Sequence, residues 1–167
     1  MGELDVLVEL AEQARRALED DGLSLATAES CTGGLVGHVL TEVAGISRVY
    51  RGGLISYSDR LKEAELGVST HTLTRHGAVS AQACSQMADG ARRRYGSDVA
   101  LAVTGIAGPD GGTAAKPVGL TYVAVADEAG QDVRRYTWAG ERSANKLASA
   151  QAALELLLER LAARRAA

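Results

Sequence analysis

The run "TAESCTGGLVGHVL", from Thr27 to Leu40, sets a glutamate, a serine, a cysteine, a threonine and two glycines ahead of an apolar, helix-like segment. "LSLATA" just before it reads as a short buried strand, so Ser30 falls where a strand ends and a helix N-terminus begins. Unpaired backbone N–H groups collect at such a point. Those around Thr32, Gly33 and Gly34, reinforced by the helix dipole, would bind a phosphate, a carboxylate or a developing oxyanion. A nucleophilic Ser30 beside these donors is equipment for attack on a carbonyl. The plainer alternative makes Ser30 or Thr32 a helix N-cap, which leaves Glu29, Cys31 and the doubled glycine unexplained.

A serine nucleophile needs a base. Histidine is poorly supplied: His38 falls inside a predicted helix, while His71 and His76 fall in a polar connection. "YSDRLK" supplies Tyr57 at a predicted strand end and Lys62 in the short helix that follows. Of 18 basic residues only Lys62, Lys116 and Lys146 are lysine, so the chain uses arginine wherever charge alone will serve. Lysine differs in that burial can lower its pKa enough to make it a base. Ser30 with Lys62, and Tyr57 relaying or orienting the proton, is therefore the candidate catalytic group. A lysine on a solvated helix face is the competing reading.

The third candidate is "TGIAGPDGGTAAKPVG", Thr104 to Gly119. It matches neither a Walker A loop nor the dinucleotide fingerprint. It does follow the C-terminal end of a predicted buried strand, where ligands bind in open α/β sheets, so Thr104, Gly105 and Gly108 would line such a crevice. A long turn before a hairpin is the alternative.

Alternating helices and strands must carry these residues. Leu4, Leu7, Val8, Ala11, Ala14 and Leu18 keep a helical period that stops at Gly22. A helix from Leu35 to near Gly45 follows the Ser30 turn, then a strand, "SRVYRGGLISYS", interrupted by Gly52 and Gly53. "DRLKEAELG" is a short helix, and Ser80 caps a helix with a core stripe of Cys84, Met87, Ala88, Ala91 and Tyr95. "DVALAVTG", "VGLTYVAVA" and "DVRRYTWA" read as strands, the last two forming an antiparallel hairpin. A final helix runs through Leu147, Leu154, Leu157, Leu158 and Leu161, with a frayed "AARRAA" end. The pattern predicts an α/β fold: a three-layer α/β/α sandwich with a mixed, mostly parallel sheet and one antiparallel hairpin.

The 167 residues fit a single domain, 1–167, with a core of ordinary size. No apolar run approaches the length of a membrane span, and the acidic N-terminus lacks the order of a secretory signal, so a cytoplasmic address is expected. Cys31 and Cys84 show no paired spacing for a zinc site or a disulfide framework; both are expected reduced, with no metal and no cofactor. A net charge of -3 provides no basic field for nucleic acid, and Arg92, Arg93 and Arg94 read as the polar end of a helix.

Taken together, "AESCTGG", "GGLISYSDRLKEAELGV", "GAVS", "TGIAGPDGGTAAKPVG" and the "GER" before the last helix resemble the CinA C-terminal domain family, in matching order across almost the whole chain. The resemblance is to the stand-alone form, since full-length CinA proteins carry a preceding domain related to molybdopterin-binding proteins. It implies a three-layer α/β/α fold and a metal-free nicotinamide-nucleotide amidohydrolase, converting nicotinamide mononucleotide to nicotinate mononucleotide and ammonia. It places the family's serine on Ser30 and its tyrosine and lysine on Tyr57 and Lys62. The family's "GDR" segment, followed by arginine four residues later, reads "GERSANK" here, so Arg142 is kept while Glu141 and Lys146 replace aspartate and arginine. Lysine keeps the charge and loses the planar fork that grips phosphate. Arg142 and Lys146 join Thr32, Gly33, Gly34, Thr104 and Gly105 as candidate substrate-binding residues. A homo-oligomer is expected. The family's link with competence, DNA damage and recombination also implies a second reading: a weakly active or inactive domain that binds a nucleotide or a recombinase, without touching nucleic acid itself.

Overall fold

The structure, a computed structural model, describes residues 2–167. Its elements run α1 (Glu3–Asp20), β1 (Leu25–Glu29), α2 (Leu35–Thr41), a 3-10 turn (Ile46–Arg48), β2 (Tyr50–Ile55), α3 (Asp59–Leu66), α4 (Thr70–His76), α5 (Ala81–Tyr95), β3 (Val99–Gly105), β4 (Leu120–Asp127), β5 (Gly130–Thr137) and α6 (Arg142–Ala166). The strands form one sheet in the order β2-β1-β3-β4-β5. β1 pairs parallel with β2 and β3, and the β3–β4 and β4–β5 pairings are antiparallel, so only β4 opposes the other strands. The expected mixed α/β sheet with one late hairpin is what the chain forms.

Side-chain size sorts the two faces of this sheet. Leu25, Val99, Leu101, Val103, Val123 and Val125 pack with α1, α2 and α6. Their neighbours Ala26, Ala28, Ala100, Ala102, Ala124 and Ala126 face the opposite way, towards α3 and α5. Successive strand residues point to opposite faces, so alternating large and small residues makes one thick and one thin layer. The thin layer brings α5 close to the sheet. There Cys84, Met87, Ala88 and Ala91 are fully buried, as their spacing predicts.

Two expectations are corrected. The "polar connection" containing His71 and His76 is helix α4, capped by the Ser69 hydroxyl, which accepts from the Thr72 N–H. The "AARRAA" end is helical to Ala166. Long-range ion pairs hold it: Arg164 donates to Asp127 at 3.1 Å and Arg165 to Asp21 at 2.9 Å. No helix among the described residues is long and apolar enough to cross a membrane.

Candidate active site

β1 and β3 end side by side, and the Ser30 N–H donates to the Val103 carbonyl at 3.0 Å. This bond sets the first residue after β1 at the carboxyl edge of the sheet, as in other open α/β sheets. Two glycines in left-handed conformations, Gly33 with φ 60° and Gly34 with φ 99°, then turn the chain into α2. That conformational demand explains the doubled glycine without a ligand.

The α2 N-terminus is occupied from within. The buried Glu29 carboxylate accepts from the Thr32 hydroxyl at 2.6 Å, from Val36 N–H at 2.9 Å and from Gly37 N–H at 3.0 Å. Gly33 N–H donates to Ser30 O and Leu35 N–H to Thr32 O. A carboxylate already neutralises the positive end of the dipole, so this helix end is no anion site for a substrate. The amides of Cys31 and Thr32 donate to no carbonyl or side-chain oxygen among the described residues, and they are the donors left nearest Ser30.

Lys62 comes from α3, which Ser58 caps by accepting from the Leu61 N–H. Ser56 N–H first donates to Glu29 O at 2.8 Å, fixing the β2 end beside the β1 end. The Lys62 side chain then runs inward, only 1% exposed, and donates to Ser56 O at 2.7 Å and to Ser30 Oγ at 3.1 Å. Burial lowers its pKa below the ordinary lysine value, opposed by the nearby Asp59 carboxylate. A buried lysine without a directly bonded carboxylate can act as a neutral amine. α3 is seated on α5 where Gly90 passes Leu66: a Cβ at Gly90 would stand 1.8 Å from the Leu66 carbonyl oxygen.

Around the pair opens a cavity of about 260 Å³. Ser30 and Cys31 form one wall, Tyr57, Asp59 and Lys62 another, and Ala78 and Val79 a third. The loop from Thr104 through Gly108, with Asp110 and Gly111, closes it, and Arg142 stands at its edge. The Thr104 hydroxyl donates to Ala78 O at 2.9 Å, tying two walls together. A Cβ at Gly105 would meet Thr121 Oγ1 at 2.7 Å and Cys31 Sγ at 3.1 Å, so only glycine leaves this corner open.

The sequence candidates therefore separate. Ser30 and Lys62 meet directly. Tyr57 is 63% exposed, and its hydroxyl accepts from Arg142 at 3.3 Å rather than touching Ser30 or Lys62. Arg142 also donates to Gly108 O at 2.6 Å, so it bridges two walls of the mouth. Thr104 and Gly105 line the cavity, whereas Thr32, Gly33 and Gly34 do not. Lys146, one turn beyond Arg142 on α6, reaches towards Gly33, where a Cβ would stand 3.7 Å from its Nζ. Lys116 donates to His76 O, so it ties the long loop to the C-terminus of α4. Of the three lysines only Lys62 lines the cavity.

Sequence reasoning missed the contacts of Glu29 and the places of Asp59 and Cys31 in the cavity wall. Cys31 lines the cavity, and burial pushes its thiol pKa up to about 12, which suppresses the thiolate. Among the described residues no three His, Cys, Asp or Glu side chains gather as metal ligands would.

Known proteins share this sequence pattern and this fold. Residues 7–161 match the CinA C-terminal domain. A CinA-like protein of Geobacter sulfurreducens is 53% identical over 146 residues, covering 87% of this chain and 35% of that protein. The chain spans about a third of the length of such curated relatives. Among solved structures, the competence/damage inducible protein CihA from Agrobacterium tumefaciens superposes with a TM-score of 0.88 at 43% identity, covering 95% of this chain and 96% of that one. A CinA superfamily protein from Klebsiella pneumoniae gives a TM-score of 0.90 at 34% identity, covering 93% and 98%. With the motifs, the sheet order and these matches in agreement, the chain belongs to the CinA C-terminal domain family.

Proposed function

We propose that this domain is a serine amidohydrolase that deamidates nicotinamide mononucleotide to nicotinate mononucleotide and ammonia. The observation that carries the reading is the 3.1 Å contact between Ser30 Oγ and a buried Lys62 amine of lowered pKa, at the floor of a cavity with a cation at its edge. With the amine neutral, the same contact runs in reverse and Ser30 O–H donates to Nζ. Ser30 Oγ then attacks the carboxamide carbon, its proton passing to Lys62. The amide of Cys31, on the cavity wall, is the donor offered to the developing oxyanion, a contact worth roughly 3 kcal/mol in comparable sites. Collapse breaks the C–N bond, Lys62 returns the proton to the leaving nitrogen, and water hydrolyses the nicotinoyl ester.

The cavity is of a size for the nicotinamide ring, with the ribose phosphate emerging beside Arg142. Because the α2 N-terminus already holds Glu29, the phosphate falls to Arg142, with Lys146 one turn along α6 as the second cation. Tyr57 acts at the mouth, orienting Arg142 through its hydroxyl. The deciding experiment is ammonia release from nicotinamide mononucleotide by the purified protein and its Ser30→Ala variant. Release by the native protein alone supports the reading. Binding of the mononucleotide without any release would return the domain to the class of nucleotide-binding partners.

A further inference from the structure

Three bonds around one residue have no part in the chemistry just described. Glu29 is 3% exposed and closes β1. Its carboxylate accepts three hydrogen bonds from Thr32, Val36 and Gly37, on the far side of the Ser30 turn. Its main-chain carbonyl accepts from Ser56 N–H at 2.8 Å, and Ser56 O in turn accepts from Lys62 Nζ at 2.7 Å. The supports of the serine and of the lysine therefore converge on Glu29, the residue next to Ser30. We infer that Glu29 is the positioning residue of this site, its carboxylate holding the Ser30 turn against α2 so that Oγ stays within reach of Lys62.

The chemistry of the contacts requires a carboxylate. All three donors point at Glu29, which donates nothing in return, and both of its oxygens are used. Glutamine offers one carbonyl oxygen and an NH2 group, so one side of the fork would set a donor against an amide N–H. Aspartate is one methylene short. Glu29 does not line the cavity, so the residue acts through Ser30 and never on the substrate.

This inference rests on the serine–lysine reading, and its test separates the two. The first readout is hydrolysis of nicotinamide mononucleotide. The second is labelling of Ser30 by a fluorophosphonate, in which Oγ bonds to phosphorus, the P–F bond breaks, fluoride leaves and the hydroxyl proton goes to Lys62. Glu29→Gln is expected to slow labelling and kcat at least ~10-fold, because small misplacement of a nucleophile costs that much or more. KM and the pH midpoint of labelling should stay put, since Arg142 and Lys62 are untouched. Thr32→Val, which removes the 2.6 Å contact and keeps the shape, should show a smaller loss of the same kind. Rates per folded molecule equal to the native rate in both variants overturn the inference and leave the hydrolase reading standing. A native protein that labels at Ser30 but releases no ammonia overturns the substrate, and the labelling rates still decide Glu29. If Ser30 does not label and no ammonia appears, both fall. Should Glu29→Gln not fold, Thr32→Val decides: slower labelling at an unchanged midpoint supports the positioning role, and an unchanged rate ends it.

Discussion

Ser30 and Lys62 are 32 positions apart in the chain, yet Oγ and Nζ meet at 3.1 Å with both side chains buried. The pairing depends on two supports, the Val103 carbonyl beneath Ser30 and the Ser56 carbonyl beneath Lys62.

Because burial lowers the Lys62 pKa, kcat/KM for nicotinamide mononucleotide is expected to rise with pH through a midpoint below the ordinary lysine value of about 10.4. The sign follows from the base form being the neutral amine. Lys62→Met should lower kcat by about 10²–10⁴, the usual span for losing a general base. A pH–rate profile that stays flat between pH 6 and 10 would count against Lys62 as the base.

Substitution at Arg142 should act on the phosphate end. Removing one charge-assisted contact costs about 1.5–3 kcal/mol, so Arg142→Ala should raise KM for nicotinamide mononucleotide by about 10- to 100-fold. Nicotinamide riboside, which has no phosphate, should change far less. Lys146→Ala should show the same selectivity with a smaller loss, and Lys146→Arg a modest gain. Equal effects on the two substrates would remove both residues from phosphate recognition.

Cys31 should be chemically quiet despite lining the cavity. Burial raises its pKa to about 12, so the thiolate is scarce at pH 8, and iodoacetamide should leave it unmodified by mass spectrometry in the native fold. Rapid alkylation with loss of activity would show a more open Ser30 loop.

Stability at the other end of the sheet rests on Asp127. Its carboxylate accepts from Arg160 at 2.7 and 2.8 Å and from Arg164 at 3.1 Å, and the Arg160 bonds hold its pKa well below the ordinary value. For a depressed carboxylate, the stabilisation is present above the unfolded pKa of about 3.9 and is lost as pH falls below it. Asp127→Ala should cost about 2–3 kcal/mol at pH 7, measured by urea unfolding, since it strands two arginines that are only partly exposed. The difference between variant and native protein should shrink as pH drops below 3.

What the sequence showed and what it hid have physical reasons. The strands were legible because buried residues alternate in size, as in "DVALAVTG", and the Ser80-capped helix because its apolar stripe is complete. α4 escaped because "THTLTRH" holds one large apolar residue, Leu73, and therefore no period. The end of α6 looked frayed because the partners of Arg164 and Arg165 lie in other elements. Within the site, the Ser30–Lys62 pair could be named from residue type and from the scarcity of lysine. The part of Glu29 could not, because its carboxylate reaches amides seven and eight residues along, beyond the usual capping span. Tyr57 was named from its motif, but its bond to Arg142 crosses 85 residues.

The scarcity of lysine sets how the protein will respond to amine chemistry. Lys62 is shielded, while Lys116 lies in the long loop and Lys146 near the start of α6. Coupling the protein to an activated-ester resin, or acylating it with a bulky dye, would leave most of the surface unmarked, the chain terminus aside. The side-chain modification would fall on Lys116 and Lys146, neither of which lines the cavity. Immobilised this way, the molecule would be held by its long loop and the start of α6, so attachment through a terminal tag is the route that leaves these segments free, both thiols being buried.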